Sequence, residues 1–386
     1  MYEFNSNISS KKSRHLLVIF LFLFISITLF GSSARAEIQP FKMPYKLTLC
    51  GERVEKTPDL SERLETRYYA YSRSTAQMIL WMKRTKRFFP VIEEMLAEAG
   101  LPDDLKYITV VESALIQKSY SKKGAVGVWQ FMRHTGKRFG LKIQRNKYDE
   151  RRDVYKATAA AIKYWKFLHK KFGNWPLAMA SYNIGENRVA REVREQGTNN
   201  FFEMTFPRET DEYVINVLIV KHFMEHPRKY GLDLEADEYF DPFHFSEVKI
   251  KVDTFRKPLS AIAQAAGVSM REIKNLNPQV IGNFLFNGTY TVRIPPKGED
   301  GFNKRYAKAI KEYEANNETF VKVTRPKAAL REGPGTEFKK YKMVKKGSKF
   351  KYISKSNALY LKRPWYQIEV KNKSYWVWSG LATIVD

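Results

Sequence analysis

The first candidate for chemistry in this chain is a single carboxylate, Glu112. The sequence from Asp103 predicts a helix in which Leu105, Ile108 and Leu115 form an apolar stripe, and Glu112 falls within that stripe. A carboxylate on the core-facing side of a helix is desolvated, which raises its pKa by disfavouring the charged form. Such a group suits general acid catalysis near neutral pH. The alternative is a solvated or capping glutamate, the more common state of a helical Glu.

Two further sets of polar residues follow Glu112 in separate predicted elements. Residues 124–132 contain two glycines three positions apart, which allow a tight turn, and one amide, Gln130, in apolar surroundings. A helix predicted to start at Asn174 ends with Tyr182 and Asn183, just before a glycine. Between these two sets, the sequence predicts a long helix that is capped by Asp153 and runs through Lys171.

Three motifs, in this order and spacing, resemble the soluble lytic transglycosylase (SLT) domain. They are Glu112-Ser113, Gly127-Val128-Trp129-Gln130 and Ser181-Tyr182-Asn183-Ile184-Gly185, and the resemblance covers roughly residues 90 to 235. The surrounding segments, 101–108 and 149–153, are similar to the D branch of the membrane-bound lytic murein transglycosylases. Trp129 and Ile184 depart from the family's usual Met and Ala, but neither change removes a polar group.

The resemblance implies a lysozyme-like, mainly α-helical domain that cleaves the MurNAc–GlcNAc bond of peptidoglycan. Glu112 would act first as acid and then as base for the C6 hydroxyl, giving 1,6-anhydro-MurNAc with assistance from the substrate's N-acetyl group. The resemblance also implies substrate contacts by Gln130 and Asn183 and a Tyr182 hydroxyl against Glu112. Ser113 would hold either the substrate or the end of the helix. No metal and no cofactor are expected.

Two other functions stay open at this level. In a hydrolytic muramidase a second carboxylate, such as Glu186, would activate water in place of the C6 hydroxyl. In a non-catalytic peptidoglycan-binding scaffold, the C-terminal modules described below would be the working parts. His222 and His226 also have the spacing of a zinc site, but so short a motif often arises by chance.

Composition and charge bound the class of protein. A chain of 386 residues exceeds one ordinary core and predicts two to four domains, and its 44% hydrophobic content is typical of globular proteins. The net charge of +26 favours polyanionic partners. The single cysteine, Cys50, excludes an intramolecular disulfide and any multi-cysteine metal site.

The N-terminus predicts export. Three basic residues between 11 and 14 precede an apolar run, 16–30, and small residues lead to Ala36, as signal peptidase requires. Because this run is shorter than the about 20 residues of a membrane span, we expect a signal peptide, 1–36, cleaved after Ala36, with an uncleaved membrane anchor as the alternative. The location is then the periplasm or cell envelope. The expected partners are peptidoglycan glycan strands and an anionic envelope surface, with peripheral membrane association and no nucleic acid.

The expected fold class is multidomain, and its first part is the mainly α lysozyme-like catalytic domain. Residues 37–60 are polar with scattered prolines and indicate a linker, and residues 61–240 form the catalytic domain, in which Pro90 is expected to separate two helices. Residues 247–297 show a strand, helix, helix, strand order with the turn Asn275-Leu276-Asn277-Pro278. This βααβ order resembles a LysM module, a family that binds N-acetylglucosamine-containing glycans.

The remaining chain predicts a spacer and a small all-β unit. Residues 298–318 are a charged, helical spacer, and residues 319–386 resemble a bacterial SH3-like barrel. The turn 330–335 keeps part of that family's pattern. Four aromatic residues could line a groove for cell-wall peptide or fill the core, and we expect half of them in the core: Trp365, Tyr366, Trp376 and Trp378.

Overall fold

A computed structural model describes residues 40–42, 44, 46–317 and 320–385, without the side chains of 254 and 255. The predicted signal peptide, residues 1–36, lies outside the described residues. Within the described ranges, no helix combines the length and apolarity needed to cross a bilayer.

The first and largest unit is a helical domain with one continuous core. Its helices are α1 (Pro58–Ser72), α2 (Thr75–Glu98), α3 (Lys106–Ser113), α4 (Arg133–Arg138), α5 (Val154–Phe172), α6 (Trp175–Ile184), α7 (Glu186–Gln196) and α8 (Arg208–Glu225). Two short hairpins complete it, β1 (Thr48–Leu49) with β2 (Glu52–Arg53) and β3 (Ile143–Gln144) with β4 (Tyr148–Asp149). The mainly α-helical fold predicted for this region is confirmed.

Local capping determines where the helices near the site begin. Asp153 accepts hydrogen bonds from the backbone N–H groups of Tyr155 and Lys156 at the start of α5. Asn174 accepts one from the N–H of Leu177 at the start of α6. Each side chain satisfies donors that the first turn of a helix leaves unpaired. Both helix starts were predicted from the sequence.

The expectation that Pro90 divides a helix is wrong, because α2 runs through it without interruption. Pro90 lies on the exposed side of α2, where water can hydrogen-bond the carbonyl that the missing N–H leaves unpaired. On the opposite side, Phe88, Phe89 and Ile92 are buried in the core. The core packing of residues before and after Pro90 therefore holds the helix together.

The expected linker, residues 37–60, is also corrected, since its second half belongs to the core. Leu49 and Val54 are buried, and so is Cys50. The N–H of Cys50 donates to Asp104, and the N–H of Trp175 donates to Glu52. These partners lie far along the chain, so no local pattern in this short polar stretch could reveal them.

The second unit has the expected βααβ order: β5 (Ser246–Pro258), α9 (Leu259–Ala266), α10 (Met270–Leu276) and β6 (Phe284–Ile294). β5 and β6 pair antiparallel. The predicted spacer is indeed helical, as α11 (Phe302–Asn316), but it is not a free spacer. Phe302 joins the core of this unit, and Ala309 and Ile310 pack against Ala261 of α9. Its apolar face therefore makes it part of the module.

This module is fixed to the helical domain by backbone and charged contacts. The N–H of Asp149 donates to the carbonyl of Gln279 at 2.8 Å. Arg293 of β6 forms an ion pair of 2.9 Å with Asp153, and both side chains are buried. Asp153 therefore caps α5 and holds the module at the same time.

The third unit is a seven-stranded antiparallel sheet. Its strands are β7 (Phe320–Val323), β8 (Lys327–Arg331), β9 (Lys340–Lys345), β10 (Lys349–Tyr360), β11 (Arg363–Val370), β12 (Lys373–Trp378) and β13 (Ala382–Val385), in the order β13-β7-β10-β11-β12-β8-β9. Of the four aromatic residues considered, Trp365 is buried, and Tyr366, Trp376 and Trp378 are partly exposed.

The loop between α3 and α4 is held by one buried ion pair. The guanidinium of Arg151 pairs with Asp149 at 2.7 Å, and its Nη1 donates to the carbonyl oxygens of Gly124 and Phe131, both at 2.9 Å. Gly127 (φ +85°) lies so close that an added Cβ would fall 1.8 Å from the carbonyl oxygen of Arg151. The loop therefore depends on the absence of a side chain at this position.

This close approach predicts different costs for two glycines with similar backbone angles. Gly127→Ala should destabilise the helical domain by about 3–5 kcal/mol, because it adds a steric clash to the strain of a positive φ. Gly124→Ala (φ +89°) should cost about 1–2 kcal/mol, because the nearest atom to its Cβ would be 3.9 Å away. Urea unfolding followed by circular dichroism measures both. Equal losses at the two positions would contradict the clash.

Candidate active site

Glu112 lies in the last turn of α3, where its side chain is only partly exposed. Its Oε1 accepts a hydrogen bond of 2.6 Å from the hydroxyl of Tyr213 on α8. Burial raises the pKa of Glu112 to about 7, with the Tyr213 hydrogen bond acting in the opposite direction and the charge of Glu209 adding to the rise. Both protonation states are therefore populated near neutral pH, as an acid that later acts as a base requires.

Tyr213, not Tyr182, is the hydrogen-bond partner of Glu112, which corrects the expected contact. The Tyr182 hydroxyl instead donates to the backbone carbonyl of Trp129 at 2.6 Å, and its ring stacks on Trp165. Burial and the nearby charge of Glu112 raise the pKa of both Tyr182 and Tyr213 well above the ordinary value. Both phenols therefore act as hydrogen-bond donors and remain protonated.

The sequence contains one signal for Tyr213. It lies among the apolar positions of α8, which places its ring on the buried side of that helix. A buried tyrosine hydroxyl needs a hydrogen-bond partner, and a desolvated carboxylate is a strong acceptor. Burial of Tyr213 therefore indicates the kind of partner, but only the packing of α8 against α3 identifies it as Glu112.

The other predicted residues fasten the three motifs to one another. The buried Ser113 hydroxyl lies 2.9 Å from the carbonyl oxygen of Thr109 and 3.0 Å from that of Val128. Of its two expected roles, it therefore holds the helix end. Gln130 takes a positive φ of 46°, and its amide Nε2 donates to the carbonyl of Gly127 at 2.7 Å. The 127–130 segment is thus joined to both α3 and α6.

Asn183 connects α6 to α8. Its Oδ1 accepts a hydrogen bond of 2.7 Å from the hydroxyl of Thr210, three residues before Tyr213. Because Oδ1 of Asn183 accepts this hydrogen bond, the amide NH₂ is the group that can donate to a ligand. Ser113, Gln130, Tyr182 and Asn183 therefore lie on elements that meet around Glu112.

Glu186, considered as a second catalytic carboxylate, is engaged in an ion pair. Its Oε1 lies 2.6 Å from Nη1 of Arg138, and the Tyr164 hydroxyl lies 3.4 Å from its Oε2. Partial burial acts to raise the pKa of Glu186, but the hydrogen bond and charge of Arg138 outweigh it and hold the pKa below its usual value. A carboxylate stabilised in this way is a weak base.

The two histidines with zinc-like spacing have protein partners instead. His222 Nε2 lies 2.6 Å from the hydroxyl of Tyr230, and His226 Nδ1 lies 3.0 Å from the carbonyl of His222. Burial, followed by the charges of His226 and Lys229, lowers the pKa of His222 to about 4. Over the part of the chain that the structure describes, no three His, Cys, Asp or Glu side chains group as a metal site would need.

Comparison with known families identifies two domains in the chain. Residues 89–205 match the Transglycosylase SLT domain, and residues 326–382 match the Bacterial SH3 domain. The chain therefore contains an SLT domain and a bacterial SH3 domain, which confirms both predictions. The LysM-like identity of residues 247–297 stays a prediction, although the βααβ order is present.

Among relatives, the chain is similar to the membrane-bound lytic murein transglycosylase D of Escherichia coli strain K12. The two are 28% identical over 253 residues, which cover 64% of this chain and 55% of that protein. The chain thus spans little more than half the length of this relative.

Two solved structures are also similar to parts of the chain. One is the 70 kDa soluble lytic transglycosylase of Escherichia coli, with 18% identity, coverage of 47% of this chain and 33% of that one, and a TM-score of 0.34. The other is an inactive mutant of the lytic transglycosylase Slt of Pseudomonas aeruginosa, with 23% identity, coverage of 48% and 32%, and a TM-score of 0.30.

The raised pKa of Glu112 predicts a pH-dependent stability. The folded state binds this proton more tightly than the unfolded chain does, so the stability of the wild type falls as the pH rises from 4.5, the ordinary pKa, to about 7. Glu112→Gln should therefore be more stable than the wild type at pH 8, by on the order of 1–3 kcal/mol, and by less than about 1 kcal/mol at pH 5. Thermal unfolding at both pH values measures this.

Glu62→Gln, on the exposed side of α1, removes a carboxylate of the same kind and serves as the control. It should show no such difference between the two pH values. A gain from Glu112→Gln that is equal at pH 5 and pH 8 would mean that the carboxyl is not held against ionisation.

Proposed function

We propose that the chain is an exported lytic transglycosylase that cleaves the MurNAc–GlcNAc β-1,4 bond of peptidoglycan and forms 1,6-anhydro-MurNAc. The observation that carries this proposal is the Glu112 carboxyl, whose pKa of about 7 is set by burial and moderated by the Tyr213 hydroxyl. The SLT domain match and the similarity to the Escherichia coli membrane-bound lytic murein transglycosylase D support the same activity.

In the first step Glu112 acts as the general acid. Protonated Glu112 donates to the glycosidic oxygen, and the C1–O bond of MurNAc breaks as the GlcNAc hydroxyl leaves. The N-acetyl group of the substrate stabilises the positive anomeric carbon, so a second protein carboxylate is not needed. Glu112 is left ionised, a state that the Tyr213 hydrogen bond makes accessible.

In the second step the same carboxylate acts as the base. Glu112 takes the proton from the C6 hydroxyl as that oxygen attacks C1, which closes the 1,6-anhydro ring and restores protonated Glu112. The proton lost in the first step is regained in the second, and no water is consumed. A group with a pKa near 7 can perform both transfers at a moderate cost.

The neighbouring residues bind and orient the sugar. The amide NH₂ groups of Asn183 and Gln130 donate to hydroxyl or N-acetyl groups of the sugar. Tyr182 and Ser113 position the 127–130 segment through their hydrogen bonds to the carbonyl groups of Trp129 and Val128. The ion pair of Glu186 with Arg138 argues against its use as a second base in a hydrolytic enzyme.

The place of action follows from the substrate. Peptidoglycan lies in the cell envelope, which agrees with the signal peptide predicted at residues 1–36 and with a periplasmic location. The SH3 domain adds a second contact with the wall polymer, and the net charge of +26 favours its anionic surface.

The decisive experiment identifies the released ends. Purified peptidoglycan is digested with the wild type and with Glu112→Gln, and the released muropeptides are identified by mass spectrometry. We expect wild-type products about 18 mass units lighter than hydrolysis products, and no release by the variant. Glu186→Gln is the matched control and should still form anhydro ends.

Water-added ends that disappear with Glu186→Gln would assign a hydrolytic muramidase instead. No release by the wild type, together with binding to the polymer by both proteins, would assign a non-catalytic scaffold.

The role of Tyr213 predicts a shift in the pH profile. In the wild type, kcat/KM should fall as the pH rises through about 7, because Glu112 loses the proton that it donates. Tyr213→Phe removes a hydrogen bond that favours the ionised form, so this limb should move to higher pH. Tyr182→Phe should lower the rate without moving the limb, since its hydroxyl bonds Trp129. A limb that moves equally in both variants would contradict the assignment.

A further inference from the structure

The turn between β10 and β11 exposes a cluster of apolar side chains. Leu359 is 65% exposed, Leu361 is 69% exposed and Tyr360 is 39% exposed, all within three consecutive residues. Single exposed apolar residues are common on proteins, but a contiguous exposed cluster usually marks an interaction surface. We call residues 359–363 the hairpin tip.

Turn geometry does not account for the leucines. Leu361 and Lys362 have φ angles of 49° and 61°, the left-handed conformation that two-residue hairpin turns require. Asn and Gly are favoured at such positions, whereas Leu is strained there. An exposed leucine in a strained conformation stabilises neither the turn nor the core. Its presence therefore points to a contact with another molecule.

The hairpin tip is held in place by pairing across the turn and by Trp378 on β12. Tyr360 pairs with Arg363 across the turn. The Trp378 indole donates to the carbonyl of Tyr360 at 3.0 Å, and the two rings meet edge to face with centroids 5.2 Å apart. Tyrosine and tryptophan with one polar and one apolar end are the side chains that favour the boundary between lipid and water.

The charged residues next to the tip in the sequence are all basic. Residues 320–385 contain sixteen Lys and Arg and three Glu, a net charge of +13. Between residues 355 and 364 the charged side chains are Lys355, Lys362 and Arg363, and the three glutamates lie outside this segment. An apolar tip bordered by basic residues complements an anionic surface with an apolar interior.

We propose that the hairpin tip docks the protein on an anionic lipid surface. Leu359 and Leu361 insert at the level of the headgroups, while Lys362 and Arg363 remain in water and pair with lipid phosphates. A lipid surface is favoured over a glycan for one reason. An anionic polysaccharide can pair with the basic residues, but it has no apolar interior into which the two exposed leucines could insert. The proposal concerns the SH3 domain alone and is independent of the catalytic activity.

Sedimentation with lipid vesicles tests this docking. The chain from residue 37 onward, which keeps every described residue, is mixed with vesicles of phosphatidylethanolamine and phosphatidylglycerol, or of phosphatidylcholine alone. The wild type should bind the anionic vesicles and not the neutral ones. The double variant Leu359→Thr/Leu361→Asn should bind them about tenfold more weakly or worse.

The two substitutions are chosen to keep the hairpin folded, since Thr suits a strand and Asn suits a turn residue with positive φ. Met343→Thr on β9 removes another exposed apolar side chain, 43% exposed, and should leave vesicle binding unchanged. Unaltered thermal unfolding confirms that both variants are folded.

Three outcomes would overturn the proposal. The first is vesicle binding by the double variant equal to that of the wild type, or no binding by the wild type. The second is loss of binding to purified peptidoglycan in the double variant without any vesicle binding by the wild type, which would make the tip a wall-binding surface. The third is a wild-type dimer, seen by light scattering, that the double variant dissociates.

Discussion

The burial of the Glu112 carboxyl against Tyr213 is the constraint on which the site depends. Three effects oppose ionisation: the low polarity around the carboxyl, the charge of Glu209, and its place in the last turn of α3, where the helix dipole is negative. One hydrogen bond, from Tyr213, favours it. The balance leaves the pKa near 7, so a small movement of α8 relative to α3 would change the proton affinity of the site. The fold must therefore fix these two helices firmly.

A second buried interaction, the ion pair of Arg151 with Asp149, fixes the loop that completes the site. Breaking such a pair leaves an unpaired buried charge, which commonly costs several kcal/mol, so the loop is strongly held. Through the carbonyls of Gly124 and Phe131, this pair anchors the segment that contacts both Ser113 and Tyr182. The side chains that position the site are thus held by hydrogen bonds to backbone carbonyl groups, which restrict their movement.

The parts that sequence reasoning predicted are those governed by local rules. The place of Glu112 on the apolar stripe and the capping of α5 by Asp153 both depend on neighbours within a few residues. The Tyr213 contact spans 101 residues, and the burial of Cys50 depends on Asp104, so neither leaves a local pattern. Pro90 shows the opposite case, because a strong local signal for a helix break was overridden by tertiary packing on the buried side of α2.

The βααβ module is attached to the same part of the helical domain that supports the site. Arg293 binds Asp153 at the start of α5, and α5 carries Trp165, on which Tyr182 stacks. The module is therefore attached to the same helix that supports the loop around Glu112, rather than tethered by a flexible linker. A rigid connection removes the freedom that a tether would leave, so these contacts fix the module in one position relative to the loop around Glu112.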